Sequence, residues 1–362
     1  MDAWHETPTG KPRARGLDIL LQGNPGANNA ITDVDGVAVG YTTLIEGASV
    51  RTGVTAILPR PPAELRVPVF AGCHSLNGNG ELTGTLWMEE SGRMDCPITI
   101  TNTHACGIAR DATVKWMVER VAPDNWVLPV AGETFDGHLN DINGFHVHES
   151  HVMSALDCAV TGPIDEGSVG GGTGMVCYGY KGGSGTSSRL VEVVDTTVTI
   201  GAFVQANFGR PHQLTIAGVP VGRMLGTSDD LEERGSIIAV IATDAPLLPH
   251  QLKRLARRIG LGVGRSGAIS GHGSGDIFMA FSTANTLAHQ EAQCLSHATF
   301  VPDAHLNSLF EAVIQSVDEA ILNALVANEP MSGFNSSYVE NLPRDEVVRI
   351  LANERSLADQ GL

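Results

Sequence analysis

The sequence predicts an α/β fold in which helices cover buried sheet. Residues 237–242 (IIAVIA) are apolar at consecutive positions, the pattern of a strand covered on both faces. Residues 306–325 place Leu306, Leu309, Phe310, Val313, Ile314, Val317, Ile321, Leu322 and Leu325 on one stripe, the spacing of a long amphipathic helix. Glycine supplies 42 of 362 residues and aromatic residues only 5%, which suits sheets joined by tight turns and close backbone approaches.

The elements follow in order. GVAVGYTTL (36–44), GVTAILPR (53–60) and CPITITNT (96–103) read as strands, bounded by Gly, Pro and Asn. GIARDATVKWMVERVA (107–122) has helical periodicity. From Gly167 to Gly209 glycine turns alternate with β-branched runs, a hairpin or meander whose last strand, TVTIGAFVQAN, ends at Asn207. PHQLKRLARRIG (249–260) puts Leu252, Leu255, Ala256 and Ile259 at helical spacing; Asp303 is placed to cap the long helix, and a last short helix runs from Pro343 to about Ala352. No internal repeat is present, and the one strongly polar break in the second half is Gly226–Gly235. Two sheets between outer helices, or one helix-flanked parallel sheet, both satisfy this pattern.

The chain is long enough for one large domain or two ordinary ones, and 42% hydrophobic residues suffice for a sizeable core. A net charge of -17 argues against nucleic acid or an anionic membrane as partner and favours a small neutral or cationic substrate. The first twenty residues lack the apolar core of a secretory signal, and no apolar stretch of about 18 residues follows, so the expectation is a cytoplasmic protein without a membrane span. Cys73, Cys96, Cys106, Cys158, Cys177 and Cys294 form no CxxC pair and are expected to be buried free thiols.

The segment GTSDDLEERGSIIAVIATDAPL (226–247) raises a chemical question, because a charged run gives way at Gly235-Ser236 to the apolar strand. A serine hydroxyl needs a neighbouring base to become a nucleophile. A serine at a new chain terminus would carry that base itself, since a free α-amine titrates at about 7.7 to 8.0. Placement at the head of a buried strand would fix its backbone and leave the hydroxyl at the sheet's rim. Gly235, without a Cβ, would allow its carbonyl a strained approach to the Ser236 hydroxyl, and Asp229–Arg234 would keep the scissile peptide in an accessible loop. The local sequence also fits a plain turn entering a strand.

The surrounding segments decide between these readings. GSIIAVIATDAPLLPHQLKRLARRIGLGVGRSG, GHGSGDIFMAFSTAN, GSVGGGTGM, KGGSGTSSR and VQANFG together resemble the β-aminopeptidase family (DmpA and BapA type, peptidase family S58), co-linearly from about Gly23 to Leu351. The resemblance implies a four-layer αββα sandwich, like that of the ornithine acetyltransferases, formed as a single domain over 1–362 and self-cleaved into 1–235 and 236–362. It implies an aminopeptidase or amidase that releases N-terminal residues, β-amino acids or small D- or L-residues, through an acyl-enzyme. By motif, Ser236 matches the nucleophile, Ser274 a second active-site serine and Asp276 its acidic partner, which some relatives have as Glu. Asn207 matches the amide donor of an oxyanion hole, and Glu133 the carboxylate that binds the substrate's amino group. Phe135 stands where one branch of the family has tyrosine, which removes a hydroxyl and makes that wall apolar. No cofactor or metal is implied, and the expected assembly is a homotetramer of processed heterodimers.

Other motifs have plainer readings. HVHESH (146–151) misses the HExxH spacing and reads as a solvated or structural cluster. GSVGGGTG (167–174) has no Lys-Ser or Lys-Thr after it and reads as tight turns near the active site. KRLARR (253–258) reads as a salt-bridge face on a helix. The competing functions are an acyltransferase of the ornithine acetyltransferase type, which predicts a threonine at position 236, and a non-catalytic binding protein that keeps the fold.

Overall fold

The computed structural model describes residues 2–121, 126–226, 235–286 and 295–359. Two sheets lie face to face between two helical layers. The smaller is formed by β1 (Ala38–Glu46), β2 (Val50–Leu58), β5 (Ile98–Asn102) and β6 (Val130–Thr134), in that order. The larger runs β4 (Arg93–Met94), β3 (Val69–Gly78), β12 (Gly275–Ser282), β11 (Ser236–Thr243), β10 (Thr196–Asn207) and β9 (Gly183–Val193). Short ribbons β7–β8 (Val176–Cys177, Tyr180–Lys181) and β13–β14 (Met331–Ser332, Tyr338–Val339) sit apart. Pairing is antiparallel except for β5 with β6 and β11 with β12.

The apolar run of β11 has a direct structural cause. Ile237, Ala239 and Ile241 face outward, into a core shared with α5 (Pro249–Arg265) and α6 (Leu306–Val326). Ile238, Val240 and Ala242 face the other sheet, where they join Ile57, Ile98, Ile100 and Val130. A central strand covered on both sides has no solvent face to encode, so its residues do not alternate in polarity. The outer face of the small sheet is covered by α2 (Cys106–Arg120) and α3 (Glu149–Asp157) through Val54, Ala56, Trp116 and Val152. The helix–sheet–sheet–helix arrangement is thus the four-layer sandwich, and the single parallel sheet is excluded. The remaining helices of the described residues, α1 (Thr85–Ser91), α4 (Val221–Met224) and α7 (Arg344–Asp359), add Met88, Val221 and Val347 to the cores.

Three local expectations change. The last helix extends to Asp359 rather than ending near Ala352, because the helix-forming run ANERSLAD contains no breaker. Asp303 lies in a 3-10 turn and does not cap α6 with its side chain; its Oδ1 instead accepts from Gln251 Nε2 at 2.9 Å, tying α5 to α6. Among the described cysteines all five are free, four are buried with Cys73, Cys96, Cys106 and Cys177 pushed up to about 12 by burial, and Cys158 is exposed. Cys294 lies outside the described residues. No helix among them is long and apolar enough to cross a membrane.

The N-terminal segment is fastened to the sandwich by buried ions. Arg13 Nε pairs with Glu166 at 2.7 Å, while Glu319 on α6 accepts from Arg15 (2.8 Å), Arg189 (2.6 Å) and Asn29 (2.6 Å). Burial alone would push the Glu319 carboxyl up, but Arg189 and Arg15 hold it below the usual carboxylate range. Glu319→Gln would leave two guanidinium groups uncompensated. Its expected cost is about 3–5 kcal/mol of unfolding free energy, read from urea denaturation; a loss below about 1 kcal/mol would refute this role.

Candidate active site

Ser236 is the first residue of β11 and is 3% exposed. The two flanking strands reach the same level. Asn207, the last residue of β10, is its antiparallel partner, and Gly275, the first of β12, is its parallel partner. Strand register therefore assembles Asn207, Ser236 and the Ser274–Asp276 segment from three distant parts of the chain.

Each side chain is held in one orientation. Asn207 Oδ1 accepts from the Val176 amide at 2.8 Å, so its Nδ2 must present the two donors; that nitrogen is buried and has no partner among the described residues. Ser274, fully buried, donates from Oγ to Asp276 Oδ1 at 2.6 Å. Ser236 Oγ accepts from the Phe135 amide at 3.2 Å. This main-chain contact was not legible in the sequence, since it depends on how β6 ends rather than on which side chain position 135 carries.

Ser236 opens into a cleft of about 660 Å³ that Glu133, Phe135, Gly235, Asn79 and Glu81 help to line. Asn207, Ser274 and Asp276 lie behind this surface, each 3% exposed or less. Glu133, at the end of β6, is 3% exposed, and its Oε1 accepts from the Glu81 amide at 2.9 Å. Burial raises its carboxyl above the ordinary range, against the opposing hydrogen bonds from Thr103 and the Glu81 amide. Phe135 turns its ring to the cleft and is 37% exposed. Among the described residues the lining carries two carboxylates and no basic group, a field suited to an ammonium.

Gly235 is crowded by its neighbours, whatever the approach of its carbonyl to the Ser236 hydroxyl. Its φ is outside the left-handed region, but a Cβ there would lie 2.5 Å from the Asn207 carbonyl oxygen and 2.7 Å from Phe208 Cα. The constraint is crowding between neighbouring strands. Its own carbonyl accepts from the Gly275 amide at 3.1 Å, so the Gly235–Ser236 peptide is held by β12. The charged stretch Asp229–Arg234 lies outside the described residues.

The other motifs have structural partners. His151 Nδ1 accepts from the His148 amide at 3.1 Å at the start of α3, and the two rings stack at 5.4 Å. In GSVGGGTG, Gly170–Gly172 form a 3-10 turn packed so closely that a Cβ on Gly172 would meet Ser184 N at 2.2 Å. On α5, Lys253 pairs with Glu89, Arg254 with Asp303, and Arg258 stacks 3.9 Å from the Phe310 ring centre. The basic run is thus an intramolecular face.

Asp136, which follows Phe135, was not singled out by the sequence. It is fully buried; burial pushes its carboxyl up to about 7, against hydrogen bonds from Thr52, Asn140 and Asn102. A folded-state value raised above the unfolded one gives stability that is complete below about pH 4 and is lost as pH rises through about 7. Asp136→Asn removes that loss. It should match wild type near pH 4 and exceed it by on the order of 4 kcal/mol at pH 8 in urea denaturation; equal stabilities at both pH values would contradict an ionisable, buried Asp136.

With this geometry in place, comparison with known proteins gives a consistent result. The chain is 48% identical over 371 aligned positions to the beta-peptidyl aminopeptidase BapA of Sphingosinicella microcystinivorans, covering 96% of this chain and 93% of the relative. It is 43% identical to the BapA of Sphingosinicella xenopeptidilytica, covering 94% and 91%. Among solved structures, the L-aminopeptidase D-Ala-esterase/amidase of Ochrobactrum anthropi superposes with a TM-score of 0.90 at 49% identity, covering 95% of this chain and 99% of that one; that enzyme is described as a prototype for the serine aminopeptidases and a variant of the Ntn hydrolase fold. A Burkholderia sp. beta-aminopeptidase gives 0.88 at 45% identity, covering 94% and 98%. The model of peptidase family S58 matches residues 29–339, and the chain, a peptidase by descent and by fold, belongs to that family.

Proposed function

We propose that this protein is a self-processing serine aminopeptidase and amidase that removes N-terminal residues with a free amine, β-amino acids or small D- or L-residues, from short peptides, amides or esters. The observation that carries the reading is the convergence of Ser236, the unpartnered Asn207 amide and the Ser274–Asp276 pair at one level of the large sheet, beside a cleft with a buried carboxylate. The named relatives act in the same chemical class.

In the uncut chain Ser236 Oγ attacks the Gly235 carbonyl carbon, whose oxygen already accepts from the Gly275 amide. The C–N bond breaks, the nitrogen takes the hydroxyl's proton, and water hydrolyses the resulting ester. The products are chains 1–235 and 236–362, which remain parts of one sandwich because both contribute strands to the large sheet. The new α-amine then serves as base for the same hydroxyl.

In turnover the substrate's ammonium sits at Glu133 and its carbonyl at Ser236. Oγ attacks as the α-amine takes its proton, Asn207 Nδ2 donates to the developing oxyanion, and Ser274, oriented by Asp276, relays a proton to the leaving amine. Water then releases the acyl group. One oxyanion donor of this kind is worth about 3 kcal/mol of transition-state stabilisation. Phe135 forms an apolar wall for the released residue's side chain, and its amide keeps Ser236 Oγ in place. No step needs a metal or cofactor. A cytoplasmic location and a tetramer of processed heterodimers complete the proposal.

Ser236→Ala should remain one chain of 38.1 kDa on a denaturing gel and hydrolyse no aminoacyl p-nitroanilide, whereas wild type gives two bands and turns over. Processing of the Ser236→Ala protein would refute the scheme. Glu133 supplies a pH test. Only its anion binds ammonium, and burial raises its carboxyl, so kcat/KM should fall on the acid side at a pH above that of an ordinary glutamate. Glu133→Gln should remove this limb and lower kcat/KM roughly 100-fold; an unchanged acid limb would assign it to another group.

A further inference from the structure

The segment Asn77–Glu81 (NGNGE) follows the register slip at the end of β3 and lines the cleft with its last three residues. Pairing with β12 passes from Asp276 opposite Asn77 to Ile277 opposite Ser75, so Leu76 is an extra residue. Such a bulge re-aims the side chains that follow it. Asn77 Nδ2 lies 3.1 Å from the carbonyl oxygens of both Gly271 and His272 and also donates to that of Ser274. Two residues on, Asn79 Nδ2 donates to the Gly273 carbonyl at 2.8 Å. All four carbonyls of the Gly271–Ser274 loop therefore meet an amide from β3's extension. The loop, GHGS followed by Gly275, has one internal turn bond, from the Ser274 amide to the Gly271 carbonyl at 2.9 Å, and its glycines leave the rest of its backbone permissive.

The same segment reaches the other half of the cleft. The Glu81 amide holds Glu133 Oε1, and a Cβ on Gly80 would lie 3.0 Å from that oxygen and 3.3 Å from Gly275 Cα. We propose that Asn77 and Asn79 are positioning residues: their amides clamp the Gly271–Ser274 loop so that Ser274, bonded to Asp276, keeps its place beside Ser236. One short strap thereby sets the spacing between the ammonium anchor and the proton relay. The proposal rests on the hydrolase reading for its kinetic consequence, while the clamp is a feature of the folded chain.

Asn79→Leu keeps the branched side-chain shape and removes the donor; Asn79→Gln keeps an amide at an exposed position. Active sites are counted with a serine-directed fluorophosphonate, and an aminoacyl p-nitroanilide is the substrate. In Asn79→Leu, kcat per titrated site should fall roughly 10- to 100-fold with KM within about threefold of wild type, and Asn79→Gln should recover most of the loss. Wild-type kcat per titrated site in Asn79→Leu, with activity lost only in proportion to folded protein, would overturn the proposal. Amide hydrogen exchange of residues 271–276 reads the clamp independently of turnover. It should accelerate in Asn79→Leu, and unchanged exchange would also overturn it. A wild-type protein that hydrolyses nothing would instead count against the hydrolase reading.

Discussion

The arrangement depends on the register of three adjacent strands. β11 begins at Ser236, β10 ends opposite it at Asn207, and β12 begins beside it at Gly275. Backbone hydrogen bonds in a sheet fix relative position along the strands to within a residue, and a slip by one would turn each side chain to the opposite face. Cores on both sides of β11 prevent that slip, because Ile237 and Ile238 face different apolar layers. The hydroxyl, the amide donor and the serine–aspartate pair thus inherit their mutual placement from the most deeply buried part of the protein. In the proposed reaction this is why a residue that must leave a peptide bond still keeps its geometry afterwards.

Charge is arranged with the same economy. Asp276 meets a hydroxyl, Glu319 meets two guanidinium groups, and Glu133 receives only neutral donors while it opens to a cleft whose described lining residues include no basic one. A buried carboxylate with only neutral hydrogen-bond donors is held in a costly state, which in the proposed reaction a substrate ammonium would relieve. The negative balance of the whole chain acts in the same direction at longer range, by raising the local concentration of cationic ligands.

Much of the fold was legible because its cause is local. The apolar continuity of 237–242 and the stripe of 306–325 report burial directly, and both elements lie where they were expected. Helix ends were less legible. Asp303 looks like a cap by residue type, yet its carboxylate is taken by Gln251 from another helix, a contact that no local rule contains. At the site, Ser236 stood out at the boundary between a charged run and an apolar strand, a pattern that also fits a plain turn, while Asn207, Ser274, Asp276 and Glu133 received roles only through the resemblance of several co-linear motifs. The Phe135 amide, the Gly275 amide and Asp136 escaped altogether. Backbone donors have no residue-type signature, and the burial that perturbs Asp136 is visible only once the sheets are packed.

The sequence by itself determined the layered α/β class, the central position of β11 and, through its motifs, the family and the chemical identities of the side chains. The class and the place of β11 follow from periodicity and glycine placement, which act over a few positions; the family follows from the resemblance of several co-linear motifs spread along the chain. Tertiary structure decided between the two layered arrangements that the residue patterning left open, crowded Gly235 against the Asn207 and Phe208 backbone, and brought the end of β3 to the Gly271–Ser274 loop. Those outcomes arise from contacts between segments far apart in the chain, whose energies depend on packing and desolvation and so exist only in the assembled fold.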